Sequence, residues 1–297
     1  MNNNINENYK KDILNVSLYS IIENNETNEN NETNVPHHLK DEYITNFIIG
    51  KNHTECIKNL FKLHSESVNA WTMIFSNLSV LLIIIYIFIR HRLSKLYSVV
   101  FILHLLAYTI HTPFSVCYHT FNTISKDEHI KWRKYDVYTI FLRCIILSFT
   151  ISFFTYTDFN YVLLNTSLTL ILSYYSILKF KESEDNHKPL DKIKQGKIVG
   201  YVVFTYMIPL IYKVLISFKN KKYDKSFILA LFNIIFVFLF GSLYCLNIPE
   251  KYFEPGTFNK IGSSHNLFHF GIIIVSIIDV LYIYINAKEG NYIKSFK

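Results

Sequence analysis

A chain of 297 residues could form one or two soluble domains, but half of it is hydrophobic, its mean hydropathy is positive at +0.18, and its apolar residues fall in long blocks. That distribution excludes an ordinary water-soluble core, whose helices need a wide polar face, and points to lipid as the solvent. The net charge of +7 comes largely from lysines between the blocks, with no basic stripe interleaved with aromatics, so it suits anionic lipid headgroups and no nucleic acid.

In chain order, Met1 to Asn34 holds twelve asparagines and two Asn-Glu-Thr triplets. Such a composition buries too little apolar surface to offset its ordering entropy, and a disordered tail over residues 1–45 is predicted. No apolar run follows a basic start, so a cleavable signal peptide is not expected and the first membrane helix would act as the insertion signal. From Thr54 to Glu66, Ile57, Leu60, Phe61 and His64 recur at i, i+3, i+4 and i+7. This spacing predicts a short amphipathic helix in the membrane interface, which with the entry to the first span fills residues 46–69.

A hydrocarbon core about 30 Å thick takes roughly 20 helical residues. Seven blocks qualify: Ala70 to Ile89, Leu96 to Ser125, Val137 to Thr157 with only Arg143 charged, Phe159 to Leu178, Ile198 to Phe218 with only Lys213, Ser226 to Pro249, and Ile261 to Ala287 with only Asp279. The predicted fold is therefore an all-α membrane protein, a seven-transmembrane helix bundle over 70–287 followed by a short tail, 288–297. With the N-terminus inside, fifteen Lys and Arg flank the inner ends of the spans and ten the outer ends, which favours a cytosolic N-terminus and an external C-terminus. Cys56, Cys117, Cys144 and Cys245 show no paired spacing, and the last three lie in apolar blocks, so no disulfide framework is expected. Sequons at Asn15, Asn25, Asn31, Asn52, Asn77 and Asn165 fall on the cytosolic side or inside spans and are expected to go unused.

Polar groups are expensive inside hydrocarbon, so their positions carry the information. Ser115 and His119 stand at i, i+4 near the end of the second block, Asp136 opens the third, His265 and His269 are again i, i+4 at the start of the seventh, and Glu66 and Asn69 open the first. In an alternating serpentine all of these lie at one membrane face. Two histidines at i, i+4 project from one helical face and can reach one ion. His119 at matching depth supplies a third nitrogen, and three histidines with an open fourth position form the ligand set of catalytic zinc. His104, His111 and Asp279 lie deeper, where ordinary hydrogen-bonding roles within the bundle are expected, and Arg143, two turns beyond Asp136 on the same face, is expected to neutralise a carboxylate or to meet lipid headgroup charge.

Four ordered motifs then identify a resemblance. They are Gly50 followed by His64-Ser65-Glu66-Ser67-Val68-Asn69-Ala70-Trp71-Thr72; Ser115-Val116-Cys117-Tyr118-His119; Asp136-Val137-Tyr138; and Ile248-Pro249-Glu250-Lys251-Tyr252-Phe253-Glu254-Pro255-Gly256 leading into Ser264-His265-Asn266-Leu267-Phe268-His269. From about Gly50 to its end the chain resembles the progestin and adiponectin receptor family, which includes haemolysin III. The resemblance implies a seven-helix bundle with a cytosolic N-terminus, Zn2+ near the cytosolic face held by His119, His265 and His269, and Asp136 and Ser115 beside the ion. Adiponectin-receptor members are regarded as ceramidase-like, hydrolysing the amide of a ceramide, others as steroid sensors, and haemolysin III relatives as cytolytic.

Three functions follow as expectations. The first is zinc-dependent hydrolysis of a lipid amide or ester, with Asp136 as proton acceptor and Ser115 as hydrogen-bond donor. The second is a receptor responsive to a ceramide, fatty acid or sterol-like ligand, whose zinc is architectural. The third is a cytolysin that permeabilises membranes. Membrane lipids are the expected partners. Met73 stands where many family members carry histidine, which leaves the three metal ligands intact and bears on substrate details.

Overall fold

In the computed structural model, residues 36–39, 41–185, 192–289 and 293–295 are described. A short helix α1 (His53–Asn59) is followed by seven long ones: α2 (Ser65–Arg90), α3 (Lys95–Phe121), α4 (Lys126–Thr155), α5 (Phe159–Asp185), α6 (Lys192–Asn220), α7 (Lys225–Cys245) and α8 (Ser264–Glu289). Each of the seven long helices is apolar and long enough to cross a bilayer, and the chain is a multi-pass integral membrane protein.

The helices outrun the uncharged blocks because their ends are set by caps and not by the first charge. α4 is the clearest case: the Ser125 hydroxyl accepts from the Glu128 amide at 3.2 Å, and Asp127 and Glu128 lie in the first turn. The helix therefore starts well before the apolar run at Val137. Asp224 caps α7 in the same way, accepting from the Phe227 amide at 2.8 Å.

Successive long helices pack side by side and α8 closes against α2, while α4 also touches α6 and α8. The third span is thus central, and it is the most buried of the seven. Its sequence explains the position. Ser148, Thr150 and Ser152 are fully buried, and Asn165 of α5 donates to Ser148 at 2.7 Å and to Ser152 at 3.1 Å. Such hydroxyls gain partners on neighbouring helices, whereas Leu82, Leu164, Ile171 and Leu215 on the outer helices face outward. At Gly271 of α8 any side chain would run into Phe240 of α7, so glycine permits the close approach of these two helices.

Three segments differ from the sequence reading. The interfacial helix stops at Asn59, with Leu60 as C-cap, and does not run on to Glu66. His64 leaves that face to cap α2: its Nδ1 accepts from the Ser67 amide at 3.4 Å and the Ser67 hydroxyl accepts from the His64 amide at 3.1 Å. This reciprocal cap is a better use of both groups than another helical turn. Ile57, Phe61 and Leu63 remain exposed, and Trp71 donates to the Leu60 carbonyl at 3.0 Å. Residues 1–35, which carry most of the expected tail, lie outside the described residues, as do Asn15, Asn25 and Asn31. Within 41–45 the chain is tied down: the Thr45 amide donates to the Asn259 side chain at 2.9 Å, and the Gly256 amide donates to the Tyr43 carbonyl at 2.8 Å. Gly256 sits at φ +94°, a left-handed conformation that suits glycine. At the other end, Ile293–Ser295 pairs as an antiparallel strand with His91–Leu93.

The His64 cap carries a pH expectation. Burial pushes this imidazole below its ordinary value, so the folded state favours the neutral ring that caps. The contribution, about 1 kcal/mol for a typical N-cap, is complete above pH about 6.5 and declines as the pH falls through that value. Between pH 7 and 5 the thermal midpoint of the wild type is expected to fall more than that of His64→Asn, which caps without titrating. Parallel slopes would disprove the assignment.

Candidate metal centre

Four helices meet at one end of the bundle. α3 ends there and brings Ser115 and His119, α2 begins there and brings Glu66, α8 brings His265 and His269 in its first two turns, and α4 brings Asp136 from its third. The α2–α8 seam is fixed by polar contacts: Asn266 donates to Asn69 at 2.7 Å and to the Ser65 carbonyl at 3.0 Å, and Ser76 donates to Ser276 at 3.0 Å. The Ser264 hydroxyl, at the first residue of α8, donates to buried Glu250 of the preceding loop at 2.6 Å, which anchors the start of the helix.

The structure brings His119, His265 and His269 together, with one nitrogen from each ring lying within 4.8 Å of the others. Their ring centroids are 4.8 to 5.1 Å apart. His119 Nδ1 lies 2.8 Å from Glu66 Oε2, and a carboxylate accepts, so the ring donates from Nδ1 and leaves Nε2 free. Asn122 donates to the same Glu66 oxygen at 2.9 Å. Asp136 has Ser115 and His119 as polar neighbours, and His111 Nδ1 lies 3.9 Å from its Oδ1.

Whether these residues fit a metal can be asked of their unmet needs. His269 Nδ1 and Asp136 Oδ1 are both buried without a hydrogen-bond partner, a state that costs about 1–3 kcal/mol each unless something else engages them. A tetrahedral zinc with bonds of about 2.0–2.1 Å sets its nitrogens roughly 3.4 Å apart, so the three rings need close by no more than about 1.4 Å to share an ion. Three imidazoles with a nearby carboxylate are also the donor chemistry that zinc accepts. The residues fit the ion.

The deeper groups go elsewhere. His104 meets Thr150 at 2.9 Å and His111 meets Thr139 at 3.0 Å. Asp279 accepts from Tyr108 at 2.8 Å and from Asn233 at 2.7 Å, while the Arg143 guanidinium lies 4.3 Å from the Tyr108 ring centre. Met73 is buried as an apolar core residue. Two contributors escape the sequence reading. The serpentine places Glu66 at this face without giving it a role, and no motif singles out Asn122. The available signal is the i, i+3 spacing of His119 and Asn122 at the end of α3, which puts both side chains on one face.

Comparison with known proteins agrees with this architecture. Residues 61–280 match the family described as Haemolysin-III related. The chain is 25% identical over 240 residues to membrane progestin receptor gamma of Homo sapiens, covering 75% of this chain and 70% of that protein. It is 23% identical over 228 residues to the adiponectin receptor protein of Drosophila melanogaster, covering 75% of this chain and 51% of that protein.

Proposed function

The chain belongs to the Haemolysin-III related family, and on that premise we propose that it is a zinc-binding membrane protein that hydrolyses a lipid amide of the ceramide class. The observation that carries this reading is the convergence of His119, His265 and His269 beside a buried carboxylate oxygen that no protein group satisfies. The orientation we propose places this end of the bundle, and the N-terminus, on the cytosolic side, as the distribution of Lys and Arg favours.

His119, His265 and His269 would hold the ion. When bound, zinc supplies Lewis acidity that polarises a carbonyl and makes water more acidic. Asp136 Oδ1, with no competing hydrogen bond, is the acceptor for a proton from water and its donor to the departing amine. Ser115, buried one helical turn before His119 and neighbouring Asp136, orients that carboxylate or donates to the developing oxyanion. The surrounding bundle excludes bulk water, which strengthens each of these interactions.

A second reading, a receptor for a lipid or sterol-like ligand with architectural zinc, draws support from the names of the progestin and adiponectin receptor relatives. A pore-forming cytolysin has less support. Polar side chains line α3 from His119 down to His104, but beyond it Phe88, Phe101, Phe153 and Phe154 pack together.

The test is metal analysis of the purified protein followed by mass spectrometry of co-purifying and added lipid. One zinc per chain, and release of fatty acid from a ceramide-like substrate that stops on chelation, is the expected result. Zinc with intact lipid and no product would favour the receptor, and dye leakage from liposomes without product would favour the cytolysin.

A further inference from the structure

We propose that Glu66, steadied by Asn122, is the positioning residue of the metal centre. It locks His119 as the Nδ1–H tautomer and turns Nε2 toward the ion. The inference rests on the zinc reading above and deepens it by assigning two residues that are not ligands.

Both hydrogen bonds converge on one carboxylate oxygen, Oε2, from the His119 ring at 2.8 Å and from the Asn122 amide at 2.9 Å. His119 is buried, and the Glu66 side chain is only 14% exposed, so the pair is sheltered from competing water. Glu66 lies in the first turn of α2, where a carboxylate often serves only to satisfy the helix end. Here that duty is already met by the His64 and Ser67 cap, and the Glu66 carboxylate reaches instead across to α3. The geometry on the α3 side is equally specific. Asn122 is the C-cap of α3, its amide donating to the Tyr118 carbonyl at 3.0 Å, so its side chain is held at the helix terminus beside His119.

Imidazole can carry its proton on either nitrogen, and a ligand ring must carry it on the one that does not face the metal. An acceptor at Nδ1 removes that ambiguity, fixes the ring plane, and through its negative charge makes Nε2 a better electron donor. Glu66 meets each requirement without touching the place where the ion would sit. Among the hydrogen bonds of the described residues, His119 is the member of the three that pairs a ring nitrogen with a carboxylate. The burden of orienting the ligand set therefore falls on His119.

The experiment compares the full chain in nanodiscs as wild type, Glu66→Gln, Glu66→Ala, Asn122→Ala and His119→Ala. Zinc affinity is read by competition with a chromophoric chelator, Co(II) is used as a spectroscopic substitute, and thermal midpoints are taken without metal. Glu66→Ala is expected to bind zinc about 10–100-fold more weakly and to alter the Co(II) absorption bands. Glu66→Gln can still accept both hydrogen bonds but lacks the charge, so it should recover much of the affinity, and Asn122→Ala should weaken binding less than Glu66→Ala. If Glu66→Ala lowers the metal-free midpoint yet binds zinc like the wild type with an unchanged Co(II) spectrum, Glu66 is merely structural and the inference fails while the metal centre stands. If the wild type binds no better than His119→Ala, the zinc reading itself fails.

Discussion

His269→Ala protein is expected to lose its zinc and its hydrolytic activity together, whereas Asp136→Ala protein keeps the zinc and loses activity by about 10²–10⁴-fold. The separation follows from geometry. His269 is one of three imidazoles whose nitrogens lie within 4.8 Å of each other, and a two-histidine remainder leaves the ion with too few protein ligands. Asp136 is not in that set; its Oδ1 is buried without a hydrogen-bond partner, and in the proposed reaction it is the proton acceptor. Asp136→Asn refines the test, since the amide keeps the shape and cannot take the proton. Zinc content and product release are measured on the same preparations. Equal activity in wild type, Asp136→Ala and His269→Ala would remove Asp136 and the metal from the chemistry.

The second large effect lies away from the metal centre. Asp279→Ala is expected to destabilise the bundle by about 2–3 kcal/mol, the cost of leaving two buried donors unsatisfied, moderated because hydrogen-bonding groups in a membrane find partial replacements when unfolded. The carboxylate is fully buried and accepts from Tyr108 at 2.8 Å and Asn233 at 2.7 Å. Its removal strands both donors and takes away the nearby negative charge that offsets Arg143, whose guanidinium rests on the Tyr108 ring. Asp279→Asn keeps one acceptor oxygen and should cost less, and replacing Arg143 and Asp279 together by apolar residues should recover part of the loss. Thermal unfolding in one detergent reads all of these. An Asp279→Ala midpoint within error of the wild type would mean that the cluster contributes nothing to stability.

Much of the candidate site is legible in the sequence, because its polar residues are arranged by local repeats. His265 and His269, and Ser115 and His119, are each one helical turn apart, and a serpentine of seven spans puts their ends at the same face. Glu66 and Asn122 are not assigned in this way. Their roles depend on how α2 and α3 are rotated about their own axes, and a count of spans says nothing about rotation. The break between α1 and α2 is hidden for a related reason. Ile57, Leu60, Phe61 and His64 satisfy a helical repeat, but the histidine gains more by capping the next helix with Ser67.

The sequence by itself determined the seven helices among the described residues that are long and apolar enough to cross a membrane, since bilayer thickness sets the length of an apolar helix whatever its neighbours are. It also determined which polar residues share a helical face. Only the tertiary structure decided that α4 is central, that Arg143 and Asp279 belong to a separate buried cluster with Tyr108 and Asn233, and that a carboxylate from α2 stands behind His119. Lipid gives an isolated helix no reason to prefer one rotation over another. The preference comes from small residues, hydroxyls and charges finding partners across helices, and those partners are distant in the chain.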